Sequence, residues 1–190
     1  VLIGSVTLNR EHAEILKGYG VPVVVINNQS PREYANSIAH DDVDGARQVT
    51  DHLLALGHHR IAYLGTRLAP RINRDRLRGY STSLAAKGLQ VDPVLVIQSA
   101  GSDIEHGESA MESLFALPAL PDAVFCFNDL MAIGALKALQ HRGISVPQQL
   151  SLAGFDNIEY SAYTTPALTT FDQPKRLIGA EAARMLLTLV

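Results

Sequence analysis

The chain has 190 residues, of which 47% are hydrophobic and 18% charged, and its net charge is −3; this composition is typical of a globular protein. The acidic balance, without an extended basic run, argues against a nucleic-acid-binding surface on this chain. The single cysteine, Cys126, excludes an intramolecular disulfide and a cysteine-rich zinc site, and it favours a reducing cytoplasm.

The chain begins with the apolar run VLIGSV at residues 1–6, which is predicted to be a core strand without a preceding cap or polar segment. This run has neither the charged start nor the small-residue cleavage site of a signal peptide. We therefore expect further residues upstream in the natural protein. The longest apolar runs, such as residues 21–26, are much shorter than the roughly 20 residues that cross a bilayer, so no membrane span is expected.

Seven short apolar runs are predicted as strands and alternate with six helical patterns. The strand runs are continuous, as expected of parallel strands that are covered on both faces. The alternation predicts an α/β fold in which helices cover parallel sheets. The predicted strands cover residues 1–6, 21–26, 60–65, 94–98, 123–127, 150–155 and 167–171, and the predicted helices cover residues 9–20, 44–58, 71–88, 103–117, 128–143 and 174–190.

Glycine residues follow three of the predicted helices, at Gly57, Gly88 and Gly143. Glycine readily adopts the left-handed conformation that ends a helix, so we expect the helices to stop there. Two polar stretches that contain proline, residues 27–40 and 159–171, interrupt the alternation and are candidate crossovers. Two crossovers predict two lobes with a cleft between them.

Polar residues follow the apolar runs at the points where the predicted strands end. Ligands of parallel sheets bind beyond the carboxyl ends of the strands, and carboxylates and amides held there would satisfy the hydroxyls of a small polar ligand. The residues at these strand exits are Ser5, Asn27, Asn28, Asn128, Asp129, Asp156 and Asn157.

Asp129 and Asp156 have an alternative role as helix N-caps. Asp129 precedes a long helical pattern, so capping is its favoured role. Asp156 precedes residues 158–163, which are too short and irregular to need a strong cap. The residue pattern by itself leaves capping and ligand contact open for Asp156.

Four arginines, at positions 71, 74, 76 and 78, form the densest basic cluster. Such side chains usually lie on a solvated helix face. Arg76 shares its side of the helix with Leu77 and Tyr80, which allows its guanidinium to point toward the strand ends. A planar fork of donors there suits ring hydroxyls or a carboxylate.

The sequence contains no nucleophile elbow, phosphate-binding glycine loop or metalloprotease motif. His58 and His59 follow a predicted helix end, where a structural role is favoured over metal binding or base catalysis. Cys126 lies in the middle of a strand between two phenylalanines, where thiols are usually inert. We predict no enzymatic activity, no metal and no cofactor.

Four separated motifs resemble the effector-binding core of the LacI/GalR family of bacterial transcription regulators. The motifs occur in the order and at the spacing of the family, and the resemblance covers nearly the whole chain. They are DGARQVTDHLLALGHHRIAYLG at residues 44–65, RDRLRGY at 74–80, the run from PDAVFCFND to GFDN at 121–157, and the run from TTPALTTF to ARMLL at 164–187.

This resemblance implies a periplasmic-binding-protein-like fold, with two doubly wound parallel-sheet lobes joined by three crossovers. Residues 1–40 would belong to the N-terminal lobe, residues 41–160 would form the C-terminal lobe, and residues 161–190 would cross over and return to the N-terminal lobe. The helix-turn-helix and hinge helix of the family, and the first strand and helix of its N-terminal lobe, have no counterpart in this chain.

The resemblance also implies site residues. Arg76 matches the arginine that holds effector hydroxyls or carboxylates, and Asp156 matches the cleft aspartate, which favours ligand contact for Asp156. Ser102 stands where several relatives have an aromatic residue that stacks on the ligand. The other matching positions are Asn128, Asn27, Asp41, Gln173 and, less securely, Ser5.

The function implied is that of a ligand-responsive repressor, in which a small effector, favoured to be a sugar, controls operator binding by a cytoplasmic homodimer. The operator would be bound through a DNA-binding domain outside this chain. The alternative is a secreted solute-binding protein of a sugar transporter, which has the same fold and would carry a signal peptide upstream.

Overall fold

The computed structural model describes residues 2–4, 10–27 and 36–189. The chain divides into two compact units, Val1–Asp41 with Pro174–Val190 and Asp42–Gln173. We call these the smaller and the larger unit. Among the helices of the described residues, none is both long enough and apolar enough to cross a membrane.

The strands and helices follow the predicted order, with one additional short strand, Ser37–Ile38, inside the stretch 27–40 that the sequence predicts as a crossover. Short 3-10 turns cover Pro93–Leu95 and Glu159–Ala162. In chain order the elements are β1 (Leu2–Gly4), α1 (Arg10–Gly18), β2 (Val24–Ile26), β3 (Ser37–Ile38), α2 (Asp42–Ala55), β4 (Ile61–Thr66), α3 (Pro70–Ala86), β5 (Val96–Ser99), α4 (Ile104–Leu114), β6 (Ala123–Cys126), α5 (Asp129–His141), β7 (Ser151–Asp156), β8 (Thr169–Asp172) and α6 (Lys175–Leu187).

The smaller unit contains a parallel sheet with the strand order β1-β2-β3. Val24 and Val25 of the middle strand are fully buried. Helix α6 packs against this sheet and has Ile178 and Ala182 on its buried face. The four-residue spacing of these two side chains places them on one side of the helix.

The larger unit contains a parallel sheet with the strand order β5-β4-β6-β7-β8. Successive residues of its central strands face opposite helix layers. Tyr63, Phe125 and Phe155 belong to a cluster with α2 and α3, whereas Leu64 and Cys126 belong to a cluster with α4 and α5. Because both faces are covered, the central strands β4, β6 and β7 are largely apolar, and the predicted α/β class is confirmed.

Three predicted helix ends are confirmed. Gly57, Gly88 and Gly143 follow α2, α3 and α5, and their φ angles are +91°, +73° and +68°. These values lie in the left-handed region, which glycine adopts at little steric cost. The backbone N–H of each glycine donates to a carbonyl three residues earlier in the chain.

Strand β5 begins later than predicted. The sequence predicts a strand over 94–98, but Pro93–Leu95 forms a 3-10 turn and β5 covers Val96–Ser99. The carboxylate of Asp92 accepts a hydrogen bond from Val94 N at 3.2 Å, which stabilises the turn at its start.

The predicted third segment, residues 161–190, differs from the structure in its first part. Residues 161–173 lie in the larger unit, and the smaller unit resumes at Pro174. Strand β8 pairs with β7, and the ring centroids of Phe171 and Phe155 lie 4.6 Å apart. The run ALTTF is therefore an edge strand of the larger sheet, and the return to the smaller unit is shorter than predicted.

Candidate ligand-binding site

The carboxyl edge of the larger sheet holds a cluster of charged and amide side chains. Strands β6 and β7 end here beside each other, because parallel strands share one carboxyl edge. Arg76 enters from α3, Asp42 from the first turn of α2, Asp156 from the end of β7, and Gln173 from the residue after β8. We call these four residues the edge cluster.

Arg76 is the buried cation of the edge cluster, with a side chain only 3% exposed. Its Nε donates to Asp42 Oδ1 at 2.9 Å, and its Nη1 donates to the carbonyl oxygen of Phe127, which directly follows β6. Its Nη2 lies 3.6 Å from Asp156 Oδ1. The expectation that the Arg76 guanidinium points toward the strand ends is confirmed.

Aromatic rings pack against this guanidinium. The Arg76 Cζ lies 3.7 Å from the ring centroid of Phe155 and 4.6 Å from that of Phe127. The negative face of an aromatic ring attracts a cation, more strongly where water is excluded. The rings and the hydrogen bonds together fix the orientation of Arg76.

Asp156 ends β7 in an unusual backbone conformation, with a φ of +114°, and Asn157 follows at +48°. Residues other than glycine rarely adopt positive φ, and such conformations are frequent at functional sites. The Asp156 side chain is 28% exposed, and its Oδ1 accepts a hydrogen bond from Gln173 Nε2. Asp156 thus presents a carboxylate at the strand exit rather than a helix cap.

Both the oxygen and the nitrogen of the Asn128 side-chain amide are hydrogen-bonded to backbone groups. Its Oδ1 accepts from Met131 N at 2.8 Å, which makes Asn128 the N-cap of α5. Its Nδ2 donates to the backbone carbonyl of Ser102 at 2.9 Å. The side chain of Ser102 is half-buried.

The prediction that Asp129 caps α5 is wrong by one residue, because Asn128 occupies the cap. Asp129 is fully buried and accepts from Thr170 Oγ1 at 2.5 Å and from Ile158 N at 2.8 Å. It joins β8 and the residues after β7 to the start of α5. A Cβ at Gly154 would lie 2.2 Å from Asp129 Oδ1, so this position needs glycine.

Other predicted site residues lie in the smaller unit. Asn27 follows β2 with a φ of +56°, and its N donates to Ile38 O at 2.9 Å. Its side-chain oxygen is buried and has no hydrogen-bond partner among the residues that the structure describes. Asp41 is exposed, and Ser5 and Asn28 lie outside the described residues.

Sequence reasoning missed Asp42, Phe127 and Phe155 as parts of the site. Asp42 begins α2, where an acidic residue is common, so its sequence position carries no separate signal. The two phenylalanines read as ordinary strand residues. All three residues belong to the site because they contact Arg76. Arg76 is 34 residues from Asp42 and 51 residues from Phe127 in sequence.

The edge cluster can bind hydrogen-bond donors and orient them. Asp156 and Gln173 bring a carboxylate and a carboxamide to the sheet edge, which suits a ligand rich in hydroxyl groups. Within the described part of the chain, no group of three His, Cys, Asp or Glu residues is placed to hold a metal ion. Cys126 is fully buried, and burial raises the pKa of its thiol, as expected of an inert cysteine.

Comparisons with known proteins agree with this architecture. Residues 50–190 match the family model of the periplasmic binding protein-like domain. The HTH-type transcriptional repressor PurR of Actinobacillus pleuropneumoniae serotype 3 (strain JL03) is 31% identical over 187 residues, which are 98% of this chain and 55% of PurR. The chain spans about half the length of the curated relatives it matches.

Two solved structures are similar over almost all of the chain. A LacI-family transcriptional regulator from Burkhoderia phymatum has a TM-score of 0.88 and 31% identity, with 100% of this chain and 68% of that chain covered. The complex of the transcriptional regulator CelR with cellobiose has a TM-score of 0.88 and 32% identity, with 98% of this chain and 57% of that chain covered.

Proposed function

Because the chain belongs to the LacI family of transcriptional regulators, we propose that it is the effector-binding core of a ligand-responsive repressor. The observation that carries this proposal is the edge cluster, in which Arg76, Asp156 and Gln173 converge at the carboxyl edge of a parallel sheet. Small ligands bind at this edge in open α/β folds. The relatives are named as transcription regulators, in agreement with the prediction that the chain is not an enzyme.

Arg76, Asp156 and Gln173 are the effector-binding residues that the geometry of the larger unit supports best. Asn27 is a further candidate in the smaller unit, because its buried side-chain oxygen lacks a partner among the described residues. Buried polar atoms without a protein partner are rare, and binding a ligand or an ordered water is one role for them. Asp41 and Ser102 are proposed from the family resemblance alone, and Asn128 and Ser5 are proposed from the resemblance together with their positions at predicted strand exits.

We propose a sugar or a related polyol as the effector. The edge cluster combines a carboxylate, a carboxamide and a fixed guanidinium, which suits the hydroxyl groups of a sugar ring. The similarity to CelR, solved with cellobiose, is consistent with this ligand class. The similarity to PurR, which is named as a repressor, favours a regulator over a secreted solute-binding protein.

In the intact protein, we propose that the effector controls the operator affinity of a cytoplasmic homodimer through a DNA-binding domain outside this chain. A coupling free energy of about 1–3 kcal/mol between effector and operator is sufficient for such control. Operator binding by the full-length protein, measured with and without effector, tests this part of the proposal.

The site is tested by isothermal titration calorimetry. The chain is first titrated with a panel of neutral sugars and nucleosides, and then Asp156→Asn and Gln173→Ala are titrated with the ligand that binds. Asp156→Asn keeps one acceptor oxygen but removes the charge, and a hydrogen bond to a charged group contributes about 1 kcal/mol more than a neutral one, so we expect Asp156→Asn to weaken binding about fivefold.

Asp51→Asn is the matched control, because Asp51 is a half-exposed aspartate on α2 that pairs with Arg47 at 3.3 Å. The affinity of Asp51→Asn for the same ligand should equal that of the wild type. Unchanged affinity in both Asp156→Asn and Gln173→Ala would refute the assignment of the edge cluster as the effector site.

A further inference from the structure

The guanidinium of Arg76 is held by the larger unit itself before any ligand binds. Its Nε and Nη1 donate to Asp42 and to the carbonyl of Phe127, and the ring of Phe155 covers one of its faces at 3.7 Å. Its Nη2 is directed toward Asp156, with 3.6 Å between the nitrogen and Oδ1. Arg76 is therefore a fixed part of the site.

Asp42 compensates the charge of Arg76. The Asp42 side chain is 2% exposed and is hydrogen-bonded to Arg76 at 2.9 Å, whereas Asp156 lies farther away at 3.6 Å. A buried cation needs a paired anion, because each charge alone is costly to remove from water. Arg76, Asp42 and Asp156 together carry a formal charge of −1, and Asp156 is the member exposed to a ligand.

Further charged residues of both signs follow the strands at this edge, among them the exposed Arg67 after β4. Asp129 is buried beside β8 and accepts hydrogen bonds from Thr170 and Ile158. Asp172 is in register with Asp156 on the adjacent strand. Arg71, one turn before Asp75 on α3, lies 3.6 Å from the carboxylate of Asp75. The acceptors nearest to the Arg76 guanidinium are Asp42, the carbonyl of Phe127 and Asp156.

We infer that the edge cluster selects an uncharged ligand that donates hydrogen bonds, such as a neutral sugar or a nucleoside, against its phosphorylated or carboxylated counterpart. This inference rests on the proposed function. A ligand anion beside Asp156 meets a like charge in a partly desolvated site, where repulsion is stronger than in water. Asp42 is a positioning residue for this selectivity, because its buried carboxylate compensates the charge of Arg76.

The first measurement compares matched ligand pairs by calorimetry on the wild-type chain. The pairs are ribose and ribose 5-phosphate, glucose and glucuronate, and adenosine and adenosine 5′-monophosphate. We expect the neutral member of any binding pair to bind at least tenfold more tightly than the anionic member. Equal or tighter binding of the anionic member overturns the inference and leaves the proposed function standing.

The second measurement repeats the binding pair with Asp42→Asn, which keeps the shape of the side chain and its acceptor toward Arg76 Nε. Asp44→Asn is the control, because Asp44 lies on the same helix and pairs with Arg47 at 2.6 Å on the exposed face. We expect Asp42→Asn to reduce the preference for the neutral member at least threefold, and Asp44→Asn to leave it unchanged.

The outcomes separate the inference from the proposed function. An unchanged preference in folded Asp42→Asn refutes the role of Asp42 in charge compensation. If Asp42→Asn does not fold, the ligand class is decided by the wild-type protein alone, from the ratio of its affinities for the neutral and the anionic member of the pair. If no member of any pair binds, the proposed effector function fails and the inference fails with it.

Discussion

Arg76 illustrates how the role of one residue is set by partners that are distant in sequence. The helical pattern of residues 71–88 places Arg76 beside apolar positions, and this predicts that it points inward. The identity of its anion requires the packing of α2 on α3, because this packing brings Asp42 to within 2.9 Å of Nε. The inward orientation of Arg76 was therefore predictable, whereas its charge partner was not.

Tyr80 provides a prediction about alkaline stability. Its ring is fully buried and its hydroxyl donates to Ile61 O at 2.7 Å. Burial, with a smaller contribution from Asp92, raises the pKa of Tyr80 to about 12, while a tyrosine in an unfolded chain ionises near pH 10. Between these values the unfolded state has lost a proton that the folded state keeps, so the free energy of unfolding should fall as pH rises from 10 to 12.

Tyr80→Phe should make this decrease shallower, and at neutral pH it should cost about 1 kcal/mol through loss of the hydrogen bond. Urea denaturation at pH 7, 9, 10 and 11 measures both effects. Burial also raises the pKa of Tyr63, so part of the decrease should remain in the variant. Tyr163→Phe, at a largely exposed ring, is the control, and identical pH profiles for all three proteins would contradict the prediction.

At the scale of elements, the close packing of α4 on α5 depends on two glycines. A Cβ at Gly107 would lie 2.2 Å from Met131 O, and a Cβ at Gly134 would lie 1.9 Å from Ile104 O. Each glycine thus allows the backbone of the other helix to approach. Glycine weakens an isolated helix, so this pair is explained by helix packing rather than by helix propensity.

Gly134→Ala should lower the free energy of unfolding by about 1–3 kcal/mol, because the added methyl group forces the helices apart. Gly179→Ala in α6 is the matched control, since among the described residues no atom outside the backbone of its own helix and its chain neighbours lies within 4 Å of the added Cβ. The control should be stabilised by about 0.5–1 kcal/mol through helix propensity. Thermal and urea unfolding followed by circular dichroism test the pair, and a stabilised Gly134→Ala would contradict the close approach of α4 and α5.

At the scale of the whole molecule, the larger unit is a continuous stretch of chain with its own core. Both buried apolar clusters, one on each face of the five-stranded sheet, are made of residues between 42 and 173. The edge cluster lies within the same stretch. A segment with a complete core has the properties of an independently folding domain.

We therefore expect residues 42–173, produced alone, to fold and to unfold cooperatively in urea. A dispersed amide NMR spectrum and a single transition seen by both circular dichroism and fluorescence would support this expectation. Residues 1–41 produced alone serve as the comparison and should show no such transition, because helix α6 of their unit comes from residues 174–190. Absence of a cooperative transition in 42–173 would show that the larger unit needs the rest of the chain.

The sequence by itself determined the α/β class, the order of strands and helices, three helix ends at glycine, and the placement of Arg76 and Asp156 near strand ends. These features follow from hydrophobic periodicity and backbone preference, which are local along the chain. Only the tertiary structure decided that Asp42 pairs with Arg76, that Asp129 joins β8 to α5, and that residues 161–173 belong to the larger unit. Such contacts join residues far apart in sequence, and they arise from the packing of helices and strands that no local pattern specifies.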